Sequence, residues 1–387
     1  MDLYIKNGNV LTGGAFYKAN ITIQEGRIVS IGDEGNTRSL PELDAAGKRI
    51  IPGLIDAHTH GGVGVDVNHA DTGDMIKLSQ FYASQGVTGY LASIATDSEE
   101  ATMGSVSEIR GAMAEGGENG AAILGIHLEG PFLSPDYKGA MAERYLKKAD
   151  IDLFERYLEA AGGTVKYLTV SPEVTGALEL IRKAVSLGVV VAMGHSGADY
   201  ETAMTAIGAG VAASTHTFNG MGLLHQHRPS VMGAALESDI YCEAICDGRH
   251  LHPAVVRLLL KTKGYDKVVA VTDSMMAAGL SDGRYVIAAN EVEVVDGDAH
   301  LVSDGTRAGS TLTMIAALKN LMDFTGESLE KVIPLLTINP ARLLHLDDKK
   351  GTLEPGKDAD MIILDENLDV TAAIVGGKAV YERDPSR

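Results

Sequence analysis

Eight short apolar runs, each about the length of a buried strand, recur between residues 50 and 272: IIPGLIDA, VTGYLASIAT, AAILGIHL, VKYLTVS, VVVAMG, VAAST, IYCEAIC and KVVAVT. Most are separated by amphipathic helical patterns such as TGDMIKLSQFYASQG and VTGALELIRKAVSLG, each closing on a glycine suited to a helix C-cap. That alternation specifies parallel strands joined by crossover helices. Eight such units close most simply into an α/β fold of the (β/α)8 TIM-barrel type. An open doubly wound sheet is the alternative, but no G-x-G-x-x-G fingerprint follows an early strand.

The two ends of the chain have a different texture. Residues 1–50 read as short strands, LYIKNGNVLT and ANITIQEGRIVSIG, with Asn-Gly and Glu-Gly turn signals and no helical period. The stretch GTLEPGKDADMIILDENLDVTAAIVGGKAVYER is similar, so residues 1–50 and 346–387 are expected to pair into a small discontinuous β-sandwich domain. It would stand beside a barrel of residues 51–345. Within the barrel, RYVIAANEVEVVDGDAHLVSDG at 284–305 predicts a β-hairpin insertion after the eighth strand.

Charge and composition exclude some functions. The formal charge is -19, from 52 acidic against 33 basic residues, and no basic patch is visible. Binding to nucleic acid or to an anionic membrane is therefore not expected. The N-terminal MDLYIKNGNVLTGG has no secretory pattern, and no run approaches eighteen apolar residues, which predicts a cytoplasmic protein. Cys242 and Cys246 share one apolar run. An extended strand holds such a pair about 13 Å apart, too far for a disulfide, so both are expected as small buried residues.

The chemistry collects where the strands end. In a barrel of this type the site lies at the C-terminal strand ends, and here they carry DAHTH, HLEGPF, GHSG, THTFNG, CDGRH and TDS at six of eight positions. Side chains alternate along a strand, so His58 and His60 face one way, as do His127 and Glu129. Imidazoles and a carboxylate are ligands for zinc or iron, and His195 and His216 complete the group. The five candidates Glu129, His58, His60, His195 and His216 leave room for two ions, with Glu129 shared. His127, one layer deeper, is expected to buttress the site. Asp273 is the candidate general base, placed to take a proton from an attacking water and return it to a leaving group; it could instead serve as a further ligand or a turn cap. These pieces specify hydrolysis of a C–N or C–O bond without naming the substrate.

On the stretches PGLIDAHTHG, HLEGPFLSPDYKGA, GHSGADY, STHTFNGM, CDGRHLHP, VTDSMMAAGL and GTLEPGKDADMIIL the chain resembles the amidohydrolase superfamily and, within it, the N-acetylglucosamine-6-phosphate deacetylase family. The likeness spans nearly the whole chain, and HLEGPF and THTFNGM are its specific parts. It implies metal-dependent removal of an acetyl group from an amino-sugar phosphate, with Glu129, His195 and His216 as principal ligands and Asp273 as acid and base. It also implies substrate contacts from Ala140, Asn219, Gly220 and His250, and a homodimer in which Arg228 reaches the phosphate in the partner's site. One or two divalent ions are implied, zinc first, with iron, manganese and cobalt open. No lysine ends VKYLTVSPE, so a carboxylated-lysine bridge is not expected and Glu129 takes that place. Two departures stand out: Met141 occupies a position where many relatives carry a carbonyl-polarising histidine, and HRPSVMG is a residue shorter than the usual loop. Rival substrates are N-acetylgalactosamine 6-phosphate and an N-acyl amino acid; rival functions are deamination and the role of a noncatalytic barrel.

Overall fold

A computed structural model describes residues 1–36, 38–115 and 119–384. Each apolar run forms a strand: Leu54–Thr59, Val87–Ala95, Ala122–Glu129, Val165–Val170, Val190–Met193, Val211–Ser214, Tyr241–Ile245 and Val268–Val271. They pair in chain order as one parallel sheet of eight. The second strand, VTGYLASIA, is buried along its whole length. A barrel strand has side chains filling the interior on one face and covered by helices on the other, which is why these runs are apolar throughout rather than alternating.

Closure is made at the end that bears the site. The Asp273 amide donates to the His58 carbonyl at 2.9 Å, and the His60 amide to the Ser274 carbonyl at 2.8 Å. Asp56 seals the same seam, accepting from the Thr272 hydroxyl at 2.6 Å. Around the barrel the helices bury one stripe each. In Ile151–Ala161 the residues Leu153, Phe154, Tyr157 and Ala161 face inward, Asp150 caps the N-terminus by accepting from the Leu153 amide, and Gly162 ends the helix at φ 58°.

The chain ends form one eight-stranded sheet, in which Arg49–Pro52 pairs parallel with Leu3–Thr12 and antiparallel with Met361–Leu364. Its first half therefore runs to Pro52, across the expected boundary at residue 50. Ile28 and Ile374 lie toward opposite edges of the sheet, yet share one core with Ile5, Ile21, Ile50, Met361 and Ile363. The sheet is thus folded over on itself. Residues 385–387 of the expected unit lie outside the described ones.

The insertion has three antiparallel strands, Gly283–Ile287, Asn290–Val295 and Asp298–Leu301, where a two-stranded hairpin is expected from sequence. The extra strand follows Asp296 and Gly297, whose φ values of 50° and 73° make the primed turn that an Asp-Gly pair favours. Val292, Val294, Ala299 and Leu301 pack there against Met275 and Ala277. Asn290 donates to the Ala140 carbonyl at 2.9 Å, which fastens the insertion across the barrel mouth. Cys242 and Cys246 are buried free thiols. Among the described residues no helix is long and apolar enough to cross a membrane.

Candidate metal centre and active site

Every expected donor sits at a C-terminal strand end. His58 lies in the first strand and His60 just after it; Glu129 ends the third; His195, His216 and Asp273 follow the fifth, sixth and eighth. These last three have φ of 47°, 29° and 49°, a left-handed backbone that non-glycine residues rarely adopt. Neighbouring bonds hold the turns: at Asp273 the amide is tied to His58 and the carbonyl accepts from Ser310 at 2.7 Å. Such conformations persist where the surroundings over-determine them, and here they aim three side chains at one point.

At that point Glu129 divides its two oxygens. Oε1 is 3.2 Å from His195 Nε2 and 3.1 Å from His216 Nε2, while Oε2 is 3.1 Å from His60 Nε2. The His195 and His216 Nε2 atoms are 3.1 Å apart. On the other side the His58 and His60 Nε2 atoms are 3.1 Å apart, at 3.5 and 3.4 Å from Asp273 Oδ1. Donors around a tetrahedral zinc with bonds near 2.05 Å stand about 3.3 Å from one another. The spacing therefore fits two donor groups, Glu129–His195–His216 and His58–His60–Asp273, with Glu129 touching both.

Proton positions point the same way. The carbonyls of Tyr137 and Ser93 can only accept, so Nδ1 of His195 and His60 carries the hydrogen at 2.9 and 3.1 Å. Nδ1 of His58 faces the Glu243 carboxylate at 3.0 Å. The Nε2 lone pairs of all three then face inward, as a metal requires. Burial opposes charge at Glu129, but His58 and the bonds from His195 and His216 hold its carboxyl well below the usual range. Burial likewise opposes a charged His58, and Glu129, Glu243 and Asp273 outweigh it, raising that imidazole well above its ordinary value, so a cation at its Nε2 would displace a proton. Three buried carboxylates make the site electronegative, which a divalent cation would neutralise.

His127 is not part of this group. Its two nitrogens bond Ser93 Oγ and Thr169 Oγ1, each at 2.9 Å, and burial and the nearby His58 hold it well below its ordinary value, neutral. It packs edge-on to His58 with 4.6 Å between centroids, as a buttress.

Ala140, Asn219, Gly220 and His250 line one cavity with His60, Glu129, His195, His216 and Asp273. His250 Nδ1 is held by Asp247 at 2.6 Å, which leaves Nε2 for a ligand. Gly139 and Gly220 have φ of 54° and 59°, and a Cβ on either would come within 3.1 and 3.2 Å of the His195 ring, so glycine lets both loops close over that ligand. Met141 lines the cavity and its thioether cannot donate a hydrogen bond. Arg228 is absent from the lining; it lies on an exposed loop beside Leu223 and Leu224, 78% and 55% exposed. Sequence reasoning missed the buried Glu243, and it missed Asn290, Thr306 and Arg307, which line the cavity. Arg307 is paired with Asp298 through two bonds of 2.9 and 2.8 Å. A lone acid inside the apolar run IYCEAIC was the available signal for Glu243; nothing local marks Arg307.

A (β/α)8 barrel with imidazoles and carboxylates gathered at its C-terminal mouth defines the class as a metal-dependent hydrolase. The chain belongs to the amidohydrolase family, whose model matches residues 49–380. It is similar to N-acetylglucosamine-6-phosphate deacetylase of Bacillus subtilis, 34% identical over 98% of this chain and 97% of the relative. N-acetylgalactosamine-6-phosphate deacetylase of Escherichia coli O157:H7 is also 34% identical, over 88% of this chain and 89% of that one. Among solved structures, N-acetylglucosamine-6-phosphate deacetylase from Pasteurella multocida superposes with a TM-score of 0.92 at 29% identity, covering 99% of this chain and 100% of that one.

Proposed function

We propose that the protein hydrolyses N-acetylglucosamine 6-phosphate to glucosamine 6-phosphate and acetate, a step of amino-sugar catabolism. The observation that carries this reading is the pair of donor groups sharing Glu129, with Asp273 at the rim of the cavity lined by Asn219, Gly220 and His250. Glu129, His195 and His216 would hold one divalent ion, and His58, His60 and Asp273 a second. Nitrogen and oxygen donors at tetrahedral spacing favour zinc, and the same set accepts iron, manganese or cobalt. Such an ion supplies Lewis acidity, polarising the acetyl carbonyl and making water acidic enough to attack near neutral pH.

The chain's own residues do the rest. Asn219, the Gly220 backbone, Ala140 and His250 seat the sugar phosphate so that its acetamido group lies beside Glu129. Asp273 accepts the proton of the attacking water and then delivers it to the departing amine nitrogen, so acetate and a free amino sugar leave. Met141 supplies no donor to the carbonyl; a cation held by His58 and His60 would supply that polarisation. Arg228 reads the phosphate in the site of a second copy, as a cytoplasmic homodimer permits. Its place outside its own cavity and the exposed Leu223 and Leu224 beside it support that reading.

Acetate release measured on N-acetylated sugars with and without a 6-phosphate, with metal content determined on the same sample, tests the assignment. Turnover is expected on N-acetylglucosamine 6-phosphate. Turnover confined to unphosphorylated N-acyl amino acids overturns it, and a strong preference for N-acetylgalactosamine 6-phosphate changes the sugar but not the chemistry.

A further inference from the structure

Glu243 lies inside the seventh barrel strand and has no solvent exposure. Its Oε1 accepts from the Tyr167 hydroxyl at 2.7 Å; its Oε2 accepts from His58 Nδ1 at 3.0 Å and from the His216 amide at 2.9 Å. No lysine or arginine pairs with it among the described residues. A buried carboxylate satisfied by two neutral donors and one imidazole is costly to keep unless that imidazole needs a charge behind it. The other imidazoles are supported differently. His60 and His195 donate to backbone carbonyls, and Nδ1 of His216 has no partner. His58 alone of the four is backed by a full negative charge.

We propose that Glu243 is a positioning residue for the His58–His60–Asp273 group, fixing His58 with its Nδ1 hydrogen outward and strengthening Nε2 as a donor to a second divalent cation. The proposal rests on the two-ion reading of the site. Partners behind a ligating histidine set its tautomer, orientation and basicity, and their loss weakens metal binding by about 10- to 100-fold. The effect is directional. In the Glu129–His195–His216 group Glu243 bonds only the His216 amide, and His58 stands 3.5 Å from Glu129 Oε1, so that group changes less.

The test is a Co(II) titration of the metal-stripped full chain, followed by visible absorption and by metal content after dialysis against graded chelator. Glu243→Gln keeps the side-chain volume and an oxygen that can accept from His58 and His216, while the charge and the acceptor of the Tyr167 hydroxyl are lost. The expected result is a second Co(II) equivalent weakened about 10- to 100-fold, with the first within a few-fold of wild type. Tyr167→Phe, which removes one anchor of the carboxylate, should weaken the second equivalent by a few-fold and serves if the glutamine variant fails to fold. Unchanged affinity for the second equivalent, equal weakening of both, or wild-type uptake of a single equivalent would each overturn the proposal. The last leaves single-ion deacetylation standing, because acetate release by wild type is read separately.

Discussion

Replacing Asp273 by asparagine separates proton transfer from metal retention. The carboxylate stands 3.5 and 3.4 Å from the inward nitrogens of His58 and His60, lines the cavity, and is held by two backbone bonds in a left-handed turn. Asparagine keeps the shape and an oxygen in place of Oδ1, but cannot accept a proton. A positioned acid–base group contributes about 100- to 10,000-fold to rate. At about 1.36 kcal/mol per decade, the variant should lose roughly 2.7–5.4 kcal/mol of transition-state stabilisation. The assay is acetate release at saturating N-acetylglucosamine 6-phosphate, with kcat, KM and metal content from one preparation. The expected outcome is a kcat down by at least two decades, a KM within a few-fold, and metal retained. A fully metallated variant with kcat within ten-fold of wild type would refute the base assignment. Activity falling only in proportion to lost metal would instead make Asp273 purely a ligand.

Arg228→Met should raise KM for the 6-phosphate substrate by about 10- to 100-fold, the worth of a charge-assisted pair of roughly 1.5–3 kcal/mol, and leave activity on the unphosphorylated sugar unchanged. Steady-state kinetics on the two sugars checks this. Burial pushes the Cys246 thiol up to about 12, so iodoacetamide at pH 8 should leave it unmodified in the native protein and label it after denaturation, as read by mass spectrometry. Lys350 is largely buried between Asp358 and Asp360; burial alone would lower its pKa, but Asp360 raises it above the usual lysine value. A raised lysine contributes stability in full below its unfolded pKa near 10.4 and loses it as pH rises through the higher folded value. Lys350→Met should therefore cost about 3 kcal/mol near pH 7 in denaturant unfolding, with the difference from wild type shrinking above about pH 10.

Much of this was legible in the sequence because strands buried on both faces leave an unambiguous trace. VTGYLASIA and VVAV can only be interior strands, and the helices between them carry their own caps. His58, His60, Glu129, His195, His216 and Asp273 were legible for the opposite reason: polar residues at the ends of apolar runs have no packing purpose there. What stayed hidden depends on facts outside the local pattern. In IYCEAIC an acid marks an interior position, but not whether it meets a ligand, a proton or a lysine. The strand Asp298–Leu301 is four residues long and reads as the arm of a turn until Asp296 and Gly297 adopt positive φ. Arg307 reaches the cavity only because that three-stranded unit folds over the mouth, a tertiary fact with no periodicity. Arg228 lies outside the cavity, and the role proposed for it depends on a second copy of the chain.

In the proposed mechanism two imidazole–carboxylate groups sharing Glu129 would hold divalent cations at the barrel mouth. Anomalous diffraction at the zinc edge from crystals of the zinc-loaded protein tests it most directly. A peak bonded to Glu129, His195 and His216 is expected, with a second at His58, His60 and Asp273. Zinc bound elsewhere on the chain, with neither group ligating, would contradict it.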